Sequence, residues 1–216
     1  MLGRYWVPPG EIEARSFEII DGLIPTSGYS ADELQIVKRV VHTTGDPGII
    51  EHLRIHPRAI SAALAAVRSG SMLYTDVKMA AAGVNRRLAS RFGCGVTCLI
   101  EGPEVAEEAQ RMSVTRAAAG VRLVSGQLGG TVIAIGNAPT ALFALLDLVD
   151  SGVARPALTI GVPVGFVGAS ESKAELARRD LPYITIEGTR GGSTTAVAIL
   201  NALLIIASRS SLNAHL

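Results

Sequence analysis

Aromatic residues are scarce in this sequence, at 4% of 216 residues, and charge of one sign is lacking. Twenty Lys and Arg stand against 19 Asp and Glu. No basic block occurs and no aromatics interleave with arginine, so nucleic acid is not an expected partner. That balance still leaves room for an anionic small molecule, which needs just a few well-placed arginines. Cysteine is limited to Cys94 and Cys98. Four positions apart on a strand is roughly 13 Å along one face, too far for a disulfide. Two thiols also fall short of a structural zinc set. They read as buried structural thiols of a protein in a reducing cytoplasm. Long apolar runs are lacking too. The most apolar segment, Ala196 to Ala207, carries Asn201 and is too short to span a bilayer. No secretory signal is expected, because Trp6, Pro8 and Pro9 lead straight into a charged stretch, Glu11 to Arg15.

Ala, Val, Leu and Ile supply most of the apolar residues, and 23 glycines punctuate them. Such usage suits helices packed on a buried sheet. Five short runs read as strands: Met72–Thr75, Cys94–Ile100, Thr131–Ile135, Leu158–Val162 and Tyr183–Ile186. All are mainly apolar rather than alternating, as expected where both faces of a sheet are covered. Helical patterns fall between them. The expectation is a single α/β domain over residues 1–208, with a five-stranded, mainly parallel sheet covered on both faces by helices. About 70 mostly helical residues before the first strand read as decoration of that domain. Residues 209–216 read as a loose tail.

Ser30 with Glu33 forms a capping box that opens a helix ending near His42. Pro57 suits the first turn of the next helix, and Gly70 follows its end. Asp76, Ser113 and Asn137 each stand where an N-cap is expected.

Ligands of open parallel sheets collect beyond the carboxyl ends of the strands. Those ends deliver Asp76, Gly136–Asn137, Pro163–Gly165 and Gly188–Arg190, although each, taken singly, can be an ordinary turn. The stretch Gly188 to Ser193 leads into the last helix, where free N–H groups and Arg190 can attract an anion. A tight turn is the competing reading. The spacing matches neither a Walker A loop nor a GxGxxG fingerprint. Arg116 falls in a helix's first turn, where the dipole disfavours a cation unless it meets a carboxylate. An incidental surface arginine is the alternative.

His52 and His56 have i, i+4 spacing, but Pro57 interrupts a helix through them and no carboxylate set completes a metal site. They read as structural, and His215 as inert in the tail. His42 differs. Its helix buries Leu34, Val37, Val40 and Val41, and the helical wheel places His42 with Gln35, Lys38 and Arg39 on the polar side. A solvated surface residue is the plain reading of that placement. Yet His42 closes a helix whose negative end favours imidazolium, and imidazole exchanges protons near neutrality. No GxSxG elbow or Cys–His signature marks a hydrolase.

Several stretches together resemble one family. They are EARSFEII (13–20), KRVVHTT (38–44), LYTD (73–76), GVNRRL (83–88), TRAAA (115–119), GNAPTALF (136–143), GVPVGFVGASESK (161–173) and RGGS (190–193). In this order they resemble the precorrin-8 methylmutases. The resemblance implies an isomerase of corrin biosynthesis that moves a methyl group from C11 to C12 of the macrocycle, giving hydrogenobyrinic or cobyrinic acid. It implies a homodimeric α/β protein without a cofactor of its own, and a pocket near the subunit contact. The family's catalytic histidine matches His42, its substrate-contacting serine Ser16, and its arginine Arg116. Asn85 stands where the cobalt-independent branch tends to have threonine. HTT at 42–44, which includes Thr43, and LYTD at 73–76, which includes Asp76, also look closer to the cobalt-precorrin branch.

A 1,5-sigmatropic methyl shift needs the conjugated ring held in one geometry and its electron distribution biased. Protonation from His42 would supply the bias. The carboxylates of such a substrate need donors, for which Arg15, Arg86, Arg116, Asn137 and Arg190 are candidates, with Thr43, Asp76 and Asn85 as further contacts. GVPVGFVG would suit the flat apolar middle. Two rivals predict different features. A Rossmann-type dehydrogenase or methyltransferase requires a glycine-rich loop after the first strand, and LYTDVKMAAAG has none. A non-catalytic corrinoid carrier predicts binding without turnover.

Overall fold

The computed structural model describes residues 7–25 and 27–212. The expectations that rest on Trp6 and His215 lie outside the described residues. Six strands form one sheet: β1 (Leu53–Ile55), β2 (Leu73–Thr75), β3 (Val96–Cys98), β4 (Val132–Ile135), β5 (Leu158–Gly161) and β6 (Tyr183–Ile186). Their order is β1-β6-β5-β4-β2-β3. The five expected strands run parallel, most of them a residue or more shorter than their apolar runs. The sixth, β1, was not expected. It pairs antiparallel with β6, with Arg54 opposite Thr185. Three residues between His52 and His56 are too few to show a period, so pairing with β6 defines this strand.

The helices are α1 (Ile12–Asp21), α2 (Ala31–Thr44), α3 (Ala59–Arg68), α4 (Lys78–Gly83), α5 (Arg86–Arg91), α6 (Pro103–Met112), α7 (Arg116–Leu123), α8 (Pro139–Asp150), α9 (Ala169–Ala177) and α10 (Ser193–Leu212). Strand alternation sends Val132, Ala134, Leu158 and Ile160 into one core with α2, α3 and α10. Ile133 and Ile135 enter a second core with α7, α8 and α9. Both faces of the sheet are therefore covered. The α10 helix continues to Leu212, four residues into the expected tail.

The N-terminal decoration packs on the first core through Ile20, Ile36, Val37, Val40 and Val41. In α2 the capping box is present: the Glu33 N–H reaches Ser30 Oγ, and the Ser30 N–H reaches Glu33 Oε2 at 2.8 Å. Gly45 ends the helix at φ 66°, its N–H on the Val41 carbonyl. Three expected caps move, each for a local reason. Ser113, at φ 53°, closes α6 instead, and Thr115 caps α7 by accepting the Ala118 N–H at 3.2 Å. Pro139 takes the first position of α8, which puts the cap at Ala138 rather than Asn137. Val77 precedes α4, because the Asp76 side chain is drawn across the sheet. Pro57 lies two residues before α3 rather than inside its first turn.

Candidate active site

His42 leaves the exposed side of α2 in its last turn, while Val40 and Val41 face the core. The α1 helix lies against it. The Ser16 hydroxyl is 2.8 Å from Nδ1 of His42. The Phe17 ring meets the imidazole edge-on, with centroids 5.5 Å apart. Arg39, one turn before His42, stacks its guanidinium 4.9 Å from the Phe17 centroid and pairs with Glu13. The imidazole is thus held at one nitrogen and along one edge. Its Nε2 makes no hydrogen bond among the described residues. In the neutral ring the Ser16 hydroxyl can donate to Nδ1, with the proton on Nε2; in imidazolium Nδ1–H donates to Ser16 Oγ and Nε2–H is the second donor.

Beside His42 is a groove of about 290 Å³ between α2, α4 and the start of α10. Arg39, Thr43, Met79, Ser193, Thr194 and Asn201 are among the residues that line it. The groove opens where β2 and β6 end, because α4 follows β2 and α10 follows β6. Arg190, exposed in the turn before α10, lies 3.5 Å from Asp46 just beyond α2. Its charge therefore stands at the same edge as His42.

Asp76 has a different place from the expected substrate contact. It is fully buried at the end of β2, in the crevice where the strand order turns back between β2 and β4. Its carboxylate accepts the N–H groups of Gly136 (3.2 Å), Asn137 (2.7 Å) and Ala138 (2.8 Å). Burial raises its pKa, against the lowering effect of these three bonds. Both oxygens are engaged by the backbone and the residue is fully buried, so Asp76 shapes the turn that presents Asn137. That turn must approach closely, since a Cβ on Gly136 would lie 2.7 Å from the Ser193 Cα.

Arg116 opens α7 and donates to the Ile100 carbonyl at 2.9 Å, with no ion pair among the described residues. Thr115 Oγ1 meets Thr140 Oγ1 at 2.7 Å, which sets the starts of α7 and α8 side by side. Asn85 caps α5 through the Leu88 N–H at 3.0 Å, and its own N–H reaches Asn201 at 2.8 Å. It therefore adjoins the groove through Asn201. Arg15 pairs with Glu18 on its own helix, and Arg86 is exposed without an ion pair among the described residues. His56 accepts the Arg58 N–H at 3.1 Å and tilts on Tyr183, a structural role as expected. Cys94 and Cys98 are buried free thiols.

The structure thus brings together Ser16, His42 and Thr43, and sets Arg190 at the same strand edge. Phe17, Arg39 and Asn201 belong to this neighbourhood and were missed. Arg39 had a signal, since it stands three residues before His42 on the same helical face.

A sequence profile described as precorrin-8X methylmutase matches residues 11–206. A cobalt-precorrin-8 methylmutase of Priestia megaterium is 42% identical over 201 residues, covering 93% of this chain and 89% of the relative. A precorrin-8X methylmutase of Pseudomonas aeruginosa is 40% identical over 196 residues, covering 89% and 93%. A solved structure of precorrin-8x methyl mutase from Thermus thermophilus superposes with a TM-score of 0.86 at 38% identity, covering 93% of this chain and 97% of that one.

Proposed function

Since the chain belongs to the precorrin-8X methylmutase family, the isomerases that move a methyl group in cobalamin biosynthesis, we propose that His42 is the residue that assists the shift. The bond from methyl to C11 breaks as the bond to C12 forms within one macrocycle, so the reaction balances without a second substrate. As imidazolium, His42 donates its Nε2–H to a ring nitrogen, draws electron density toward it, is left neutral, and recovers the proton afterwards. The observation that carries this reading is the Ser16–His42 contact at 2.8 Å, which engages Nδ1 and leaves Nε2 without a hydrogen bond among the described residues.

The substrate is an anionic tetrapyrrole. Arg116, Arg190 and Asn137 stand along one strand edge as donors for its rim carboxylates. Arg15 can join them, because an exposed pair such as Arg15–Glu18 is worth about 0–1 kcal/mol and exchanges readily. Phe166 and Val167, 92% and 90% exposed, offer an apolar surface for the ring. The groove of about 290 Å³ admits part of such a ligand, being at the small end of the roughly 300–1,000 Å³ usual for ligand sites. The rest extends across the open edge, which supports a homodimer that closes the site. The two buried free thiols support a cytoplasmic location. Among the described residues no helix is long and apolar enough to cross a membrane.

The direct test supplies purified protein with precorrin-8 and, separately, with its cobalt complex, and follows the visible spectrum. Rearrangement of either one supports the assignment; binding of both without rearrangement contradicts it. The comparison also assigns the branch. Asn85 and the stretches HTT and LYTD favour the cobalt substrate, and Asn85→Thr, which keeps an N-cap residue on α5, then shifts the ratio of kcat/KM toward the metal-free one.

A further inference from the structure

Lys173, in the middle of α9, is a buried cation that the isomerase reading does not use. It is 1% exposed. Its Nζ donates to the Arg190 carbonyl at 2.5 Å, and no carboxylate lies within 4 Å of it among the described residues. Burial lowers its pKa to about 8. A buried ammonium without a counter-ion is disfavoured, and an apolar side chain of similar length would fill the same space without that penalty. Packing therefore does not account for a lysine here.

Its surroundings give it a role. Two turns meet above it: residues 162–168, which carry Phe166 and Val167, and residues 188–192, which carry Arg190. The Gly192 N–H reaches the Val162 carbonyl at 2.8 Å, and the Gly165 N–H reaches the Thr189 carbonyl at 3.1 Å. The backbones approach so closely that a Cβ on Gly191, at φ 144°, would lie 2.2 Å from the Val162 oxygen. Lys173 follows the first turn in sequence and holds the second through Arg190 itself. The turn it holds leads into α10, whose first N–H groups favour an anion.

We propose that Lys173 is a positioning residue of the substrate site, latching the Arg190 turn to the Phe166–Val167 turn so that the guanidinium meets a rim carboxylate. This rests on the reading of Arg190 as a carboxylate donor. Lys173→Met, Arg190→Gln and the double variant are compared with the wild-type protein for kcat, KM and thermal unfolding. Lys173→Met should unfold at a temperature no lower than the wild type's at neutral pH and raise KM about tenfold, the scale of one charge-assisted hydrogen bond. Its kcat should change little, because the contact lies away from the migrating methyl group. The double variant should be no worse than the weaker single one, since both remove the same interaction. A wild-type KM for Lys173→Met, with KM raised by Arg190→Gln, overturns the latch and leaves the Arg190 reading standing. A wild-type KM for Arg190→Gln removes that reading and the proposal with it. Should Lys173→Met fail to fold, Lys173→Leu carries the test, since it too removes the donor to the Arg190 carbonyl. A raised KM supports the proposal, and a wild-type KM overturns it.

Discussion

The Ser16 hydroxyl of α1 meets Nδ1 of His42 on α2 at 2.8 Å, joining two helices that pack outside the parallel sheet. This contact fixes which imidazole nitrogen is free. Ser16→Ala should leave the fold intact, because the pair lies at the surface, and should slow turnover. Loss of a hydrogen bond to a charged ring is worth about 1.5–3 kcal/mol, or roughly tenfold or more in kcat. Steady-state kcat with unchanged thermal unfolding checks this; an unchanged kcat contradicts it.

Asp76 should behave as a structural residue with a local effect on the site. Asp76→Asn replaces one acceptor oxygen by a donor, which then faces one of three backbone N–H groups. An unmet buried hydrogen bond costs about 1–3 kcal/mol, or about 5 °C in unfolding temperature for a chain of this size. KM should rise as the Asn137 turn loosens. Calorimetry beside kinetics tests both, and an unshifted unfolding temperature counts against the three-bond arrangement.

His42 was readable from the helical wheel, since an apolar stripe at Val37, Val40 and Val41 leaves its position outside the core. The parallel sheet was readable from apolar runs separated by helical patterns. The role of Asp76 was not, because its partners lie some 60 residues away and a residue after a strand looks like a local cap. Ser113 misled for a related reason: a serine between two helices can end one or begin the other, and Thr115 two residues later took the second task. Lys173 lies inside the long GVPVGFVGASESK stretch, yet nothing in its spacing shows that it reaches back to Arg190.

Lys173 also gives a pH signature of stability. Burial holds its pKa at about 8, against an ordinary 10.5. Between these values the folded protein binds fewer protons than the unfolded chain. The stabilising contribution is therefore complete above 10.5 and lost as the pH falls through 8. Relative to Lys173→Met, the wild-type protein should gain stability from pH 8 to 10.5, on the order of 1–3 kcal/mol. Paired urea unfolding series across that range measure the difference. A flat difference contradicts the buried, partly neutralised lysine.

In the proposed reaction His42 supplies the proton that assists the methyl shift. Single-turnover rates of His42→Ala and wild type, each saturated with the tetrapyrrole, test it most directly. General acid assistance is worth about 100- to 10,000-fold. The variant should bind substrate, unfold at the wild-type temperature and rearrange the ring at least about 100-fold more slowly. Rearrangement by His42→Ala at the wild-type rate would contradict the account.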